Sequence, residues 1–265
     1  MLGAIIGDIV GSIYEWNNHR SKEFELFGPK CDFTDDTVMT LAIAEGLMAG
    51  GTEKDYVRAM QRLGRAYPGR GYGCRFREWL YMTVPAPINS FGNGSAMRIS
   101  PVAWAFDSIE EVEEAARITA LPTHCHPEGI KGAQATAAAI FLARTGRSKE
   151  EIRTYIEKKY KYNLHRTMDK IRPVYQFNET CQATVPEAIV AFLESDGFED
   201  AIRCGVSLGG DTDTLTAITG SIAEAAYGIP EDIRRTALSF LPPELQGICE
   251  KFDQWLELRR ESAAR

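Results

Sequence analysis

Two short runs far apart in the chain hold the residues best suited to chemistry: Phe33-Thr34-Asp35-Asp36-Thr37 and Gly209-Gly210-Asp211-Thr212-Asp213-Thr214. Each concentrates carboxylates and threonine hydroxyls, hard oxygen donors that suit Mg²⁺, Mn²⁺ or Ca²⁺ rather than a thiolate-seeking metal. Four carboxylates meeting in one cleft would repel each other, and divalent ions would relieve that repulsion. The pattern predicts that the two runs converge on a metal site, a binuclear one. Taken alone, the first run is also what a helix start looks like, since Thr is a good N-cap and first-turn acids favour the helix dipole. The second run follows a Gly-Gly pair that permits unusual backbone angles and close approach. Apolar residues upstream of it (Phe192, Ile202, Val206, Leu208) set its acids at the floor of a cleft.

Further candidates are weaker one by one. Glu15 closes an apolar, glycine-spaced segment, where a carboxylate is poorly placed against a helix C-terminal dipole. Asn89-Ser90-Phe91-Gly92-Asn93-Gly94-Ser95 is a Gly-rich loop running into a helix. Exposed N–H groups at such a start can cradle phosphate, although the run is not a Walker A sequence and a plain loop explains it equally. His124 and His126 flank Cys125 at a spacing that fits neither a zinc site nor a Cys–His nucleophile. His126, before Pro127, reads as structural; for His124 a structural role and a hydrogen bond to phosphate or sugar both stand. Arg70, Tyr72 and Arg75 are substrate contacts or loop surface, and the sequence does not choose.

The elements that must position these groups read as helices. Gly3, Gly7 and Gly11 recur every four residues over 2–14 and form a smooth stripe for a close helix neighbour. Thr34 caps a helix running to Gly50-Gly51, and Thr52 caps another over 53–66. Residues 83–94 are loop, and a helix from near Ser95 to Phe106 is kinked at Pro101. Capping boxes at Ser108 and Ser148 open helices over 109–120 and 149–160, with an Ala-rich helix over 128–144 between them. Residues 161–182 read as irregular, and helices resume over 186–194, 198–207, 211–227, 231–240 and 243–260. Period-two strand signals are nearly absent, so the expected class is all-α, one domain over 1–265.

The chain has 265 residues, 44% hydrophobic and 25% charged, with a net charge of −7. That composition excludes a disordered chain and a general nucleic-acid-binding surface. Its six cysteines form no C-x-x-C pair or zinc spacing and suit free thiols in a reducing cytoplasm. No apolar run is long enough for a membrane span, and Asp8 interrupts the N-terminal one. The expectation is a soluble cytoplasmic protein.

Taken together, five stretches resemble the ADP-ribosylglycohydrolase family: Gly7-Asp-Ile-Val-Gly-Ser-Ile-Tyr-Glu15, Phe33 to Thr37, Phe91-Gly-Asn-Gly-Ser-Ala-Met-Arg98, Thr123-His124 and Gly209 to Thr214. They occur in the family order over most of the chain. The resemblance implies a compact, single-domain, orthogonal helical bundle with two Mg²⁺ or Mn²⁺ ions at the mouth of a cleft. It implies Thr34, Asp35, Asp36, Asp211, Asp213 and Thr214 as metal ligands, and Glu15 as a gate or acid/base group. It further implies that Ser90, Phe91, Gly92, Asn93, Gly94 and Ser95 hold the pyrophosphate and adenosine end, and that His124 touches the ADP-ribose. The implied reaction is hydrolysis at the anomeric carbon of ADP-ribose attached to a protein side chain or small conjugate, by a monomer, with Asp36 or Glu15 handling the proton. Two alternatives are a Mg²⁺-dependent nucleotide or phosphate hydrolase, disfavoured by the missing P-loop lysine, and a catalytically silent ADP-ribose-binding module.

Overall fold

The computed structural model describes residues 1–263. Helix α1, Leu2–Gly11, is buried along its whole length, as a helix apolar on every side must be. Next come α2 (Asp35–Ala49), α3 (Glu53–Ala66), α4 (Cys74–Leu80), α5 (Gly94–Met97) and α6 (Ser100–Ala105). Beyond them lie α7 (Ile109–Ala120), α8 (Pro127–Arg144), α9 (Lys149–Tyr160), α10 (Met168–Ile171) and α11 (Cys181–Leu193). The chain closes with α12 (Phe198–Leu208), α13 (Thr212–Tyr227), α14 (Glu231–Leu238) and α15 (Pro243–Ala263). Among the described residues there is no sheet, only isolated bridges from Asn89 to His124 and from Gly92 to Thr180. The all-α expectation holds.

Helix α13 is the axis of the molecule: Thr212 to Ala223 are all buried, with α1, α8, α11 and α12 packed around them. The glycine stripe sets how close α1 comes. A Cβ on Gly3, Gly7 or Gly11 would fall far inside contact distance of the backbone carbonyls of Gly220, Thr216 and Thr212, respectively. Backbone therefore rests on backbone, and the end of α1 lies beside the start of α13.

Several boundaries differ from the sequence reading. Helix α1 stops at Gly11, and residues 12–17 turn back over the start of α13. The single kinked helix expected near Ser95 is two short helices, with Pro101 in the first turn of α6, where its missing N–H costs nothing. Helix α11 begins at Cys181 rather than 186 and carries Pro186 internally; the run 161–182 is not wholly irregular, since α10 lies within it. The Thr52 and Ser148 caps form complete capping boxes. At Ser108 the box is half made, because its hydroxyl donates to the Glu111 carboxylate in place of its backbone N–H.

Candidate active site

The two acidic runs meet. Asp35 and Asp36 from the first turn of α2, and Asp211, Asp213 and Thr214 from the start of α13, line one cavity of about 370 Å³ together with Glu15 and Thr34. Carboxylate oxygens of Glu15, Asp211 and Asp213 lie within 4.8 Å of one another, close enough to hold a metal ion. Glu15, which the resemblance casts as a gate or acid/base group, thus stands within a potential ligand set. Ser90, Gly92, Gly94 and His124 also line the cavity and bring no carboxylate to it.

Local structure explains the placement. Thr34 is the N-cap of α2: its hydroxyl accepts from Asp36 N at 3.3 Å and donates to Asp8 Oδ1 at 2.7 Å. Asp8, buried in the middle of α1, also accepts from Thr34 N at 2.9 Å and Thr37 N at 3.0 Å. One buried carboxylate therefore satisfies donors that the α2 start leaves free, and ties the first acidic run to α1. Thr214 Oγ1 donates to Asp36 Oδ2 at 3.2 Å and links the second run to the first. The Gly209-Gly210 turn has φ of 70° and 78°, a region that favours glycine, and its Gly210 N–H donates to Asn18 Oδ1 at 2.8 Å. Asn18 Nδ2 in turn donates to the Glu15 carbonyl at 3.0 Å, so Glu15 and the second acidic run are clamped to each other.

Burial and like charge oppose the ionised forms of these acids. Desolvation, followed by the Asp213 charge, raises Glu15 to about 7. Burial raises Asp8 and Asp211 to about 6 each. Asp35, Asp36 and Asp213 are pushed well above the carboxylate range by desolvation first and neighbouring carboxylates second. Asp36 Oδ1 is buried with no hydrogen-bond partner among the described residues. An all-oxygen donor set with an orphaned carboxylate oxygen fits hard divalent ions.

Not every candidate sits where the resemblance implies. Asn93 does line the cavity, and its buried side-chain amide donates to Asp211 Oδ2 at 2.6 Å and Thr184 Oγ1 at 3.1 Å, so it also orients an acid. Ser95 is fully buried with its hydroxyl donated to the Gly129 carbonyl at 2.7 Å, so its side chain is outside the cavity. Phe91 lies in an adjoining groove shared with Phe177 and Asn178, with its ring 5.4 Å from that of His126. His126 is structural, as expected: it caps α8, its Nδ1 accepting from Glu128 N at 3.1 Å. Ser90 Oγ accepts from Gly92 N at 3.1 Å and shapes the loop. Of the three undecided residues, Arg70 pairs with Asp32, Tyr72 is buried, and Arg75 reaches both the cavity and the side groove.

Sequence reading missed Asp8, Asn18 and Glu179, the last an exposed carboxylate at the cavity. Asp8 carried a signal, being a lone acid in an otherwise apolar helix. Asn18 carried none, because its partner Gly210 is distant in sequence and near only in the fold.

A helical protein whose buried carboxylate cluster faces a Gly-rich loop has the donor set of a metal-dependent hydrolase, the class that the five stretches suggest. The profile of the family described as ADP-ribosylglycohydrolase matches residues 1–262, and the chain belongs to that family. It is similar to ADP-ribosylhydrolase ARH3 of Mus musculus, 27% identical over 96% of this chain and 87% of the relative. It also resembles ADP-ribosylarginine hydrolase Tri1 of Pseudomonas putida (strain GB-1), 26% identical over 90% of this chain and 73% of the relative. A solved structure described as an ADP-ribosylglycohydrolase-related protein complex superposes with a TM-score of 0.70 at 26% identity, covering 93% of each chain. The protein is an enzyme that hydrolyses the glycosidic bond of ADP-ribose.

Proposed function

We propose that the cavity holds two divalent ions, Mg²⁺ or Mn²⁺, and removes ADP-ribose from modified protein side chains or small conjugates. The observation that carries this reading is the gathering of Asp35, Asp36, Asp211, Asp213 and Glu15 around one cavity that also exposes the Gly92 and Gly94 loop. Thr34, Asp35, Asp36, Asp211, Asp213 and Thr214 would hold the ions, with Glu15 beside them. Such ions supply positive charge that can hold the ribose 2′- and 3′-hydroxyls and make water more acidic.

The chain's own groups do the rest. Cleavage at the anomeric carbon develops positive charge on the sugar, which the surrounding carboxylates favour. Glu15 or Asp36 takes the proton of the attacking water and passes it to the departing side chain as the glycosidic bond breaks, so the carboxylate is regenerated. The backbone N–H groups of Gly94 and Ser95, with Ser90 and His124, hold the pyrophosphate, and the groove between Phe91 and Phe177 takes the adenosine end. Among the described residues no helix is long and apolar enough to cross a membrane. Six free thiols suit a reducing cytoplasm, and the monomeric, single-domain state follows the family resemblance.

The test is release of free ADP-ribose, followed by mass spectrometry, from ADP-ribosyl-arginine and ADP-ribosyl-serine peptides with Mg²⁺, Mn²⁺ or EDTA. The expected result is metal-dependent release from at least one peptide, lost in Asp211→Ala. If neither release nor metal-dependent binding of ADP-ribose is seen, the reading fails. Comparing Glu15→Gln with Asp36→Asn on the active peptide identifies the proton acceptor; full turnover in both would remove the role from both residues.

A further inference from the structure

Arg98 is a fully buried arginine with no carboxylate in hydrogen-bond contact among the described residues. Burial lowers it only to about 10, so it stays charged at neutral pH. One terminal nitrogen donates to the Thr119 carbonyl at 3.0 Å and to Thr123 Oγ1 at 2.8 Å. Thr123 Oγ1 lies 2.8 Å from His124 Nδ1, and both residues are buried. A guanidinium only donates, so the Thr123 hydroxyl accepts from it and keeps its own proton to give. His124 Nδ1 is the other partner that hydroxyl has among the described residues. If Nδ1 carried a proton, the hydroxyl hydrogen would be left buried without an acceptor, which is unfavourable. The chain of donors therefore runs one way, from Arg98 through Thr123 to Nδ1, and leaves the ring proton on Nε2.

Nε2 faces the ligand side. A Cβ built on Gly94 would lie 3.1 Å from it, and one on Gly92 would lie 3.7 Å away, so it sits over the Gly-rich loop. It has no hydrogen-bond acceptor among the described residues, and His124 lines the cavity. The ring is held in place: His124 N donates to Ala120 O at 2.7 Å, and Gly129 of α8 packs against its Cβ and carbonyl.

We propose that Arg98 and Thr123 are positioning residues that lock His124 as the Nε2–H tautomer, a neutral donor aimed at the pyrophosphate oxygens of ADP-ribose. Arg98 and Thr123 line the cavity beside His124, and hydrogen bonds in such chains strengthen one another. Burial first and the Arg98 charge second hold His124 well below the usual histidine range, which keeps the ring neutral. The donor role rests on the ADP-ribose reading of the cavity; the tautomer does not.

The experiment is a long-range ¹H–¹⁵N correlation of the histidine rings at pH 7 in the Mg²⁺-loaded protein, with His124 assigned by its loss in His124→Gln. It is paired with calorimetric binding of ADP-ribose to wild type, Thr123→Ser and Thr123→Val. Wild type and Thr123→Ser are expected to show a neutral ring protonated at Nε2 and similar affinities. Thr123→Val is expected to gain the Nδ1–H form and to bind ADP-ribose about tenfold more weakly, the scale of one hydrogen bond to an ion. A wild-type ring protonated at Nδ1, or charged, overturns the relay, and so does a Thr123→Val protein with tautomer and affinity unchanged. Should Thr123→Val not fold, the wild-type and Thr123→Ser tautomers decide. An Nε2–H ring in a wild-type protein that binds no ADP-ribose overturns the cavity reading while the relay stands.

Discussion

Asp213 sits desolvated among carboxylates of like charge, and that environment opposes its ionised form in the metal-free protein. Its charge is useful only when cations share the cavity. Asp213→Asn keeps the shape and removes the charge. We expect the metal-free variant to melt about 2–4 °C higher than wild type at pH 8, which corresponds to roughly 1 kcal/mol in a chain of this size. Its ADP-ribose release should fall on the order of 10²-fold or more, since even partners outside a ligand set cost 10–100-fold when removed. Calorimetric melting in EDTA and initial rates with Mg²⁺ measure the two halves. A variant that melts lower in EDTA would show that the charge is not in conflict with its neighbours. Asp8 is the contrasting acid: three donors surround it, so it works by holding the start of α2.

At the scale of elements, the site depends on how closely α1 approaches α13. The glycines of α1 let its backbone touch the α13 carbonyls, and this contact brings Asp8 and the Glu15 turn to the second acidic run. Gly7→Ala puts a Cβ into the Thr216 carbonyl and forces the helices apart. The expected loss is about 1–3 kcal/mol, the usual cost of overpacking, together with weaker Mn²⁺ binding. Gly247→Ala is the control: nothing lies within 4 Å of a Cβ there, and in the interior of α15 the change should be neutral or stabilising by up to about 1 kcal/mol. Urea unfolding reads the stabilities, and Mn²⁺ titration followed by electron paramagnetic resonance reads the site. Equal stability of the two variants would rule out the close approach. The glycine stripe, the Thr34 cap and both acidic runs were legible in sequence because they are local patterns. The split of the expected 95–106 helix was not, because Pro101 fits a first helical turn as well as a kink.

At the scale of the whole molecule, the acids set a pH dependence whose sign can be worked out. Asp8 and Asp211 titrate at about 6 and Glu15 at about 7 in the folded protein, each above its value in the unfolded chain. Between the unfolded and folded values the folded state holds more protons, so stability falls as pH rises. His124 acts the other way, being depressed, but it is one group against several raised carboxylates. The metal-free protein should therefore melt at a higher temperature at pH 5 than at pH 8. Mg²⁺ or Mn²⁺ should restore the pH 8 value, because ions that bind only the folded state stabilise it. Melting curves at both pH values with EDTA and with metal test this. A metal-free melting temperature that rises from pH 5 to pH 8 would mean that the acids are not held protonated by the fold.

The sequence by itself determined the helical class, the two acidic runs and the family, because spacing, caps and donor chemistry are written in neighbouring residues. It also marked the Gly92–Gly94 loop and His124, though without their orientations. Only the tertiary structure decided that Asn93 turns to Asp211, that Ser95 turns to Gly129, and that Asn18 clamps the Gly210 turn. It alone set the direction of the chain from Arg98 to His124. A side chain's hydrogen bonds go to whatever partner the packing brings within 3 Å or so, and those partners lie on other helices, where no local pattern reaches.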